Sequence, residues 1–294
     1  MISIEESRCT QCGLCIPVCV RRILEKDEKG VRIIDAGMCL SCGHCKAICP
    51  TDAPIFSHLV EKEFEAIPKA EALPDPSAFL RFLRRRRSLR LYQSKPVELE
   101  KLQMILEAGR FAPTGANRQA CEYVVVNNRK ILDRVCTLAT QALQEEGQRV
   151  KEALDRLHRL KEPLPEKYIL KQFSPPVWDR IARKWMEEGV DQLFYHAPAL
   201  VLIHMEKGVT TTPDVDTAMA GMQMVLMAES LALGTCFIGY LVSVLENSAE
   251  LKKVLEIPRD HQAHVAFTVG YPQAKFLRLV GRNPIKVKWI GDSK

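Results

Sequence analysis

The stretch CTQCGLCIPVCV, residues 9–20, places Cys9, Cys12, Cys15 and Cys19 in the spacing C-x-x-C-x-x-C-x-x-x-C. CLSCGHCKAICP, residues 39–50, repeats that spacing with Cys39, Cys42, Cys45 and Cys49. Of the 11 cysteines in the chain, only Cys121, Cys136 and Cys236 lie outside the two copies. Thiolates at i, i+3 and i+6 do not converge from an ordinary strand. A tight loop of that spacing wraps three corners of a cubane cluster and leaves the fourth to a distant cysteine. Structural zinc would use two C-x-x-C pairs, leaving the third cysteine and the C-x-x-x-C tail of each copy without a purpose. A disulfide framework belongs to secreted chains, and the start MISIEESRCT has no basic segment followed by an apolar one. The doubled spacing therefore favours iron and sulfide over either rival. His44, inside the second loop, reads as solvent-facing, because the thiolate sets are complete without it.

From the first residue to about residue 58 the chain resembles a bacterial two-cluster ferredoxin, down to the CPTDA that follows the last cysteine. The resemblance implies two 4Fe–4S clusters with lent ligands. One would be held by Cys9, Cys12, Cys15 and Cys49, the other by Cys39, Cys42, Cys45 and Cys19. A strand at VRIID, residues 31–35, would let the two halves fold back on each other. Val20 stands where the second copy has Pro50, so the repeat is imperfect.

The remainder is far longer than the head. At 294 residues the chain suits a small module plus a larger one, and 47% hydrophobic with 27% charged residues excludes a disordered chain. No apolar run approaches the ~20 residues of a membrane helix; the most apolar stretch, TAMAGMQMVLMAESLALG, carries Gln223 and Glu229. The expectation is a cytoplasmic protein with reduced thiols and no membrane contact. EKEFEAIPKAEALPDPS, with Pro68, Pro74 and Pro76, reads as an extended connector. The expected limits are a cluster domain over 1–60, a linker over 61–76 and a second domain over 77–294. Ser77 would cap a first helix that buries Phe79, Leu80 and Leu83.

Periodicity predicts helices near 77–87, 98–110, 129–146, 148–160, 176–188, 214–233 and 244–255, and strands at 121–127, 199–205, 236–240 and 263–270. Helices and strands mix without βαβ alternation, which predicts an α+β fold. Four stretches carry candidate chemistry. RRSLR, residues 86–90, concentrates donors for a phosphate, against the bland alternative of a solvated basic face; nucleic acid is disfavoured for want of interleaved aromatics. RFAPTGANRQACEYVVV, from residue 110, ends a helix at Pro113 and makes a small-residue turn before a strand, either a ligand contact at Gly115 and Ala116 with Asn117 and Gln119 adding amides, or a plain connection. LALGTCFIGY sets Ile238 and Gly239 at a strand edge, and VGYPQAKFLRLVGR supplies Lys275, Arg278 and Arg282.

Together these stretches resemble the nitroreductase family of FMN-dependent reductases over residues 77–294. The matching pieces are the R-x-S-x-R run, the APTGANRQ turn, the acid-led apolar helix from Asp216 into LGTCFIG, and the GYP…KF…R ending. The resemblance implies a sheet-and-helix domain forming an intertwined homodimer with two FMN sites at the interface. It implies that Arg86, Arg87, Ser88 and Arg90 hold the FMN phosphate and ribityl chain, with Arg278 and Arg282. The turn containing Pro113, Thr114, Gly115, Asn117 and Gln119 would meet the isoalloxazine from the partner subunit. The Ile238–Gly239 backbone would donate near flavin N5, the atom that passes hydride.

Residues 140–190 form a long polar insertion with Trp178 and Trp185, read equally as a lid over the flavin and as extra packing. Cys121, Cys136 and Cys236 read as small buried hydrophobes. His196, His204, His261 and His264 form no metal pair on one helix face, and Met219, Met222, Met224 and Met227 fit a buried helix at a dimer interface. No side chain is singled out as catalytic. The expected function is electron exchange between two 4Fe–4S clusters and FMN, with reduction of a small nitroaromatic or quinone-like acceptor. Ferredoxin or NAD(P)H would be the donor, and fusion raises the effective concentration of the redox partners. The alternative is a non-catalytic electron-transfer or flavin-binding module of a larger complex.

Overall fold

Short apolar runs flanking the cysteines pair into two small antiparallel ladders. β1 (Ile2–Ile4) pairs with β4 (Pro54–Phe56), and β2 (Leu24–Asp27) with β3 (Gly30–Ile33). In chain order α1 (His44–Ala47) falls between β3 and β4. Ile2, Ile23, Leu24 and Phe56 pack with Cys15 and Cys45 into one small core. The Lys46 side chain is buried beneath it, where its ammonium pairs with Asp52 at 2.7 Å and Glu61 at 2.6 Å and donates to the Pro54 carbonyl. Burying an ammonium requires such partners, which gives the Asp of CPTDA a structural task.

The structure is a computed structural model describing residues 2–28, 30–67 and 73–291. It separates into two compact units. The first comprises Met1–Pro74 with Pro113–Ala120 and Gly208–Thr212, and the second Asp75–Ala112, Cys121–Lys207 and Pro213–Lys294. Part of the expected linker, residues 68–72, lies outside the described residues.

The second unit begins with α2 (Pro76–Arg85). Its cap is Asp75, which accepts from the Ala78 N–H at 2.6 Å, with Pro76 at the first turn, so Ser77 is already helical. The expected burial on α2 does not occur within one chain: Phe79 and Leu80 are exposed and Leu83 half-buried. After α3 (Leu99–Arg110) come β5 (Glu122–Val126), α4 (Arg129–Leu160), α5 (Glu166–Ile169), α6 (Pro175–Glu188), β6 (Ala199–Glu206) and α7 (Pro213–Ser230). β7 (Gly234–Phe237), α8 (Gly239–Leu245), α9 (Ala249–Val254) and β8 (His261–Gly270) complete it. The strands form one antiparallel sheet in the order β5-β6-β8-β7. Leu200, Leu202 and Ala266 face a core shared with α4, α6, α8 and α9; Val201, Ile203, Phe267 and Val269 face one shared with α3 and α7. Both faces are covered, so β6 is apolar from Ala199 to Ile203. The fold is α+β, and no helix among the described residues is long and apolar enough to cross a membrane.

Three expectations change in detail. The helices expected at 129–146 and 148–160 are one, α4, because Gly147 packs beside Trp178 and Pro175 of α6 rather than ending the helix. The single helix expected at 244–255 is two, since Ser248 caps α9 by accepting from Leu251 N–H. On α7, Met224 is fully buried while Met219 and Met222 are exposed. At Gly234 the sheet meets RRSLR closely: a Cβ there would lie 3.0 Å from Leu89 Cβ and collide with the Leu89 side chain. Gly234→Val is expected to cost about 1–3 kcal/mol by overpacking, read as a lowered thermal midpoint; an unchanged midpoint would mean that the contact yields freely.

Candidate functional site

The two cysteine loops take the same backbone path. Gln11 and Ser41 have φ of +57° and +53°, and Gly13 and Gly43 have φ of +78° and +75°. Left-handed turns at matching positions curl each loop so that its first three thiols face inward. Cys9, Cys12 and Cys15 then line one cavity together with Cys49, amid Ile4, Val31 and Pro54. Cys39, Cys42 and Cys45 line another with Cys19, amid Ile2, Leu24 and Phe56. All eight are free thiols. Four soft donors in an apolar wall, three from one loop and one from the other, fit a 4Fe–4S cluster in each cavity. His44 is exposed at the rim of the second.

The thiols are not electrostatically equivalent. Burial, then the neighbouring Cys42, pushes Cys45 up to about 12, so a metal's charge must drive off its proton. Burial opposes ionisation of Cys49 too, but the Ala53 and Thr51 N–H groups and the Thr51 hydroxyl bring it below its usual value.

In the second unit, RRSLR is extended. Ser88 bridges Thr235 in parallel and the Leu89 N–H donates to the Thr235 carbonyl at 2.8 Å. Side chains alternate along such a segment. Arg86, Ser88 and Arg90 all act on the Cys236 thiol, which burial raises and these groups oppose. Arg87 turns the other way, its guanidinium 4.4 Å from the Phe276 ring and donating to the Arg278 carbonyl. Arg90 with Tyr195, Cys236, Ile238 and Gly239 lines a cavity of about 620 Å³, a size suited to an organic ligand. Arg87 and Arg278 line a different one with Lys275. Arg282 is exposed and donates to the Gly281 carbonyl. Of the phosphate set expected from sequence, Arg90 thus lines one cavity and Arg87 and Arg278 another, while Arg86, Ser88 and Arg282 are among the lining residues of neither.

The Ile238 N–H is committed to the Ala266 carbonyl at 2.8 Å, which corrects its expected role as a flavin donor. Gly239 stands at the first position of α8, where an N–H has no intrahelical acceptor, and nothing lies within 4 Å of where its Cβ would be. In the Pro113–Gln119 turn, Ala116, Asn117 and Gln119 have φ of +51°, +53° and +51°. Thr114 closes the turn, accepting from Asn117 N–H at its carbonyl and from Gln119 N–H at its hydroxyl. The Asn117 amide donates to the Leu40 and Ser41 carbonyls, within the first unit, so its hydrogens do not face a flavin.

Residues 83–271 match the sequence model of the nitroreductase family. The chain belongs to that family. Residues 8–53 match a 4Fe–4S dicluster domain. Among solved structures, a nitroreductase with bound FMN from Bacteroides fragilis has a TM-score of 0.53 at 22% identity, covering 73% of this chain and 98% of its own. A nitroreductase with bound FMN from Desulfitobacterium hafniense has a TM-score of 0.49 at 22% identity, covering 71% and 97%. The first likeness is one of fold. No protein of curated function matches the sequence.

Several residues around the nitroreductase cavity escaped the sequence reading. Tyr195 accepts from Arg90 Nε at 3.2 Å, and its own placement depends on buried Asp191, whose carboxylate accepts from the N–H groups of Leu193, Phe194 and His196. An Asp whose side chain can accept from amides a few residues on, standing just before QLFYHAP, was the available signal. Cys236, expected to be inert packing, lies beside the Ser88 hydroxyl. Val177, Arg180 and Ile181 of α6 line the same cavity, so the insertion forms part of its wall. Elsewhere, His204 and His261 meet across β6 and β8 with Nδ1 atoms 3.0 Å apart, near Glu122; burial lowers His204.

Proposed function

We propose that this nitroreductase-family protein is an iron–sulfur flavoprotein oxidoreductase. It carries two 4Fe–4S clusters and one FMN per chain and reduces a nitroaromatic or quinone-like acceptor. The observation that carries the reading is the pair of four-thiol cavities, each completed by a cysteine from the other loop, on the same chain as the family's flavin fold. When bound, FMN supplies the exchange between single electrons and electron pairs, which is what links cluster donors to an organic acceptor.

The chain's own residues bind and orient. Arg86, Ser88 and Arg90 are the charged and hydroxyl donors we assign to the phosphate and ribityl chain, Arg90 being fixed by Tyr195. Gly239 offers its N–H toward flavin N5. Arg87, Arg278 and Lys275 form a separate basic cavity, which leaves them secondary in this assignment. Helix α6 closes one side of the ligand cavity against water. The exposed apolar side chains of α2, Met219 and Met222, and Leu277, Ile285, Trp289 and Ile290 near the C-terminus, support a homodimer. The domain limits proposed are 1–60, 61–76 and 77–294, in a cytoplasmic protein with ferredoxin or NAD(P)H as donor.

Anaerobic purification should give about eight irons and one FMN per chain; zinc without flavin would overturn the reading. Stopped-flow mixing with reduced ferredoxin, NADH or NADPH identifies the donor by which one bleaches the flavin. Cluster–flavin exchange with no turnover on any acceptor would favour the non-catalytic module instead.

Among its residues the cavity has two guanidiniums, Arg90 and Arg180, and no carboxylate. Arg180→Gln should therefore raise KM for carboxylate-bearing nitroaromatics about tenfold, the worth of one charge-assisted hydrogen bond. It should leave KM for a neutral quinone little changed; equal effects on both acceptors would remove Arg180 from substrate recognition.

A further inference from the structure

Asn117 joins two motifs that the sequence holds far apart. Its side-chain nitrogen donates to the Leu40 carbonyl at 3.1 Å and to the Ser41 carbonyl at 2.9 Å. Leu40 and Ser41 are the two residues between Cys39 and Cys42, so both bonds fall inside the second cysteine loop. Asn117 itself belongs to the turn whose family counterpart meets the flavin. Turn and loop lie in the same compact unit, although the turn's flanking helix α3 and strand β5 belong to the other.

The turn holds an uncommon backbone. A left-handed conformation costs roughly 1–2 kcal/mol for an ordinary residue, and Ala116 and Gln119 both adopt one beside Asn117. Strain of this kind persists where the surroundings over-determine it, and it concentrates at functional sites. Thr114 fixes the turn from within, while the Asn117 amide fixes it to the cysteine loop. A plain helix-to-strand connection would need neither the strain nor a two-carbonyl clamp on a metal-binding loop.

We propose that Asn117 is a positioning residue that fastens the flavin-contacting turn to the loop of the cluster held by Cys19, Cys39, Cys42 and Cys45. That cluster is then the one that exchanges electrons with the flavin, and the cluster of Cys9, Cys12, Cys15 and Cys49 is the one that exchanges them with the external one-electron carrier. The assignment rests on the function proposed above. Two electrons from a low-potential one-electron donor, taken one at a time, and two protons from water make up each two-electron reduction of the acceptor. If the donor is instead a nicotinamide, the same order runs in reverse.

The test uses the anaerobic holoprotein with Asn117→Gly, which removes the clamp while easing the left-handed backbone, and Asn117→Asp, which sets a carboxylate against the two carbonyls. Iron and FMN content should stay at wild-type levels in Asn117→Gly. Electron paramagnetic resonance during a redox titration should show one cluster altered, the same one that Cys39→Ser deletes, and the other unchanged. Flavin reduction through the clusters should slow about tenfold or more, because a misplacement of about 1 Å is costly, while direct reduction of flavin by dithionite keeps its rate. Two unchanged clusters, or an alteration confined to the one that Cys9→Ser deletes, would overturn the proposal while leaving the functional reading intact. A wild-type protein whose reduced clusters never reach the flavin would overturn both, and the wild-type control separates the two cases.

Discussion

Cys19→Ser should remove the iron of the second loop, not of the loop in which Cys19 sits. Cys19 is part of the first cysteine run by sequence, yet it lines the cavity of Cys39, Cys42 and Cys45. Cys49, from the second run, lines that of Cys9, Cys12 and Cys15. In the proposed arrangement each cluster depends on one lent thiolate, and a serine in its place loses the soft ligand that an iron–sulfur cluster requires. Iron should fall from about eight to about four per chain, with FMN content unchanged. The decisive measurement is spectroscopic identity. The cluster left in Cys19→Ser should match the one left in Cys39→Ser, and Cys49→Ser should match Cys9→Ser. If Cys19→Ser instead matches Cys9→Ser, each loop closes its own site and the lent-ligand arrangement is wrong. The two survivors should also differ from each other, since Cys49 is held by amide and hydroxyl donors and Val20 is exposed where its counterpart is Pro50.

The two cysteine loops stand out because a doubled spacing marks them locally, whereas the thiol each would lend to the other follows only from the resemblance; each loop's conformation follows from one glycine and one left-handed neighbour. The four sheet strands were legible for a similar reason: apolar runs such as ALVLIHM have no other way to bury both faces. What stayed hidden depends on contacts between distant residues. Gly147 resembles a helix break until Trp178 packs on it. Arg87 resembles Arg86 and Arg90 until alternation turns it toward Phe276. His204 and His261 sit 57 residues apart and meet only because β6 and β8 are neighbours, which no helical periodicity detects. The Asn117 clamp is of the same kind, since an asparagine in a turn is ordinary until its amide is seen to reach another loop.

Asp191→Ala should be among the most damaging single changes in the second unit, although Asp191 was not a candidate by sequence. The carboxylate is buried and accepts three backbone N–H groups, from Leu193 at 2.9 Å, Phe194 at 2.7 Å and His196 at 2.9 Å. Alanine would leave the Leu193 and Phe194 donors without acceptors in the interior and the His196 donor without one nearer the surface, at about 3–5 kcal/mol in all. Tyr195 and His196 also hold φ of +59° and +54°, each unfavourable by roughly 1–2 kcal/mol, so the freed segment would relax toward an ordinary conformation. Tyr195 would then leave Arg90, whose Nε it accepts. The thermal midpoint should fall by roughly 10 °C, given about 2–4 °C per kcal/mol for a domain of this size, and FMN affinity should fall with it. Tyr195→Phe separates the two effects. It removes only the acceptor for Arg90, so flavin affinity should drop about fivefold to tenfold, the worth of one hydrogen bond to a charged group, with the midpoint nearly unchanged. A midpoint for Asp191→Ala within 2 °C of wild type, outside the expected fall, would show that the carboxylate does not organise the segment. A Tyr195→Phe protein that binds FMN as the wild type does would show that Arg90 needs no such anchor.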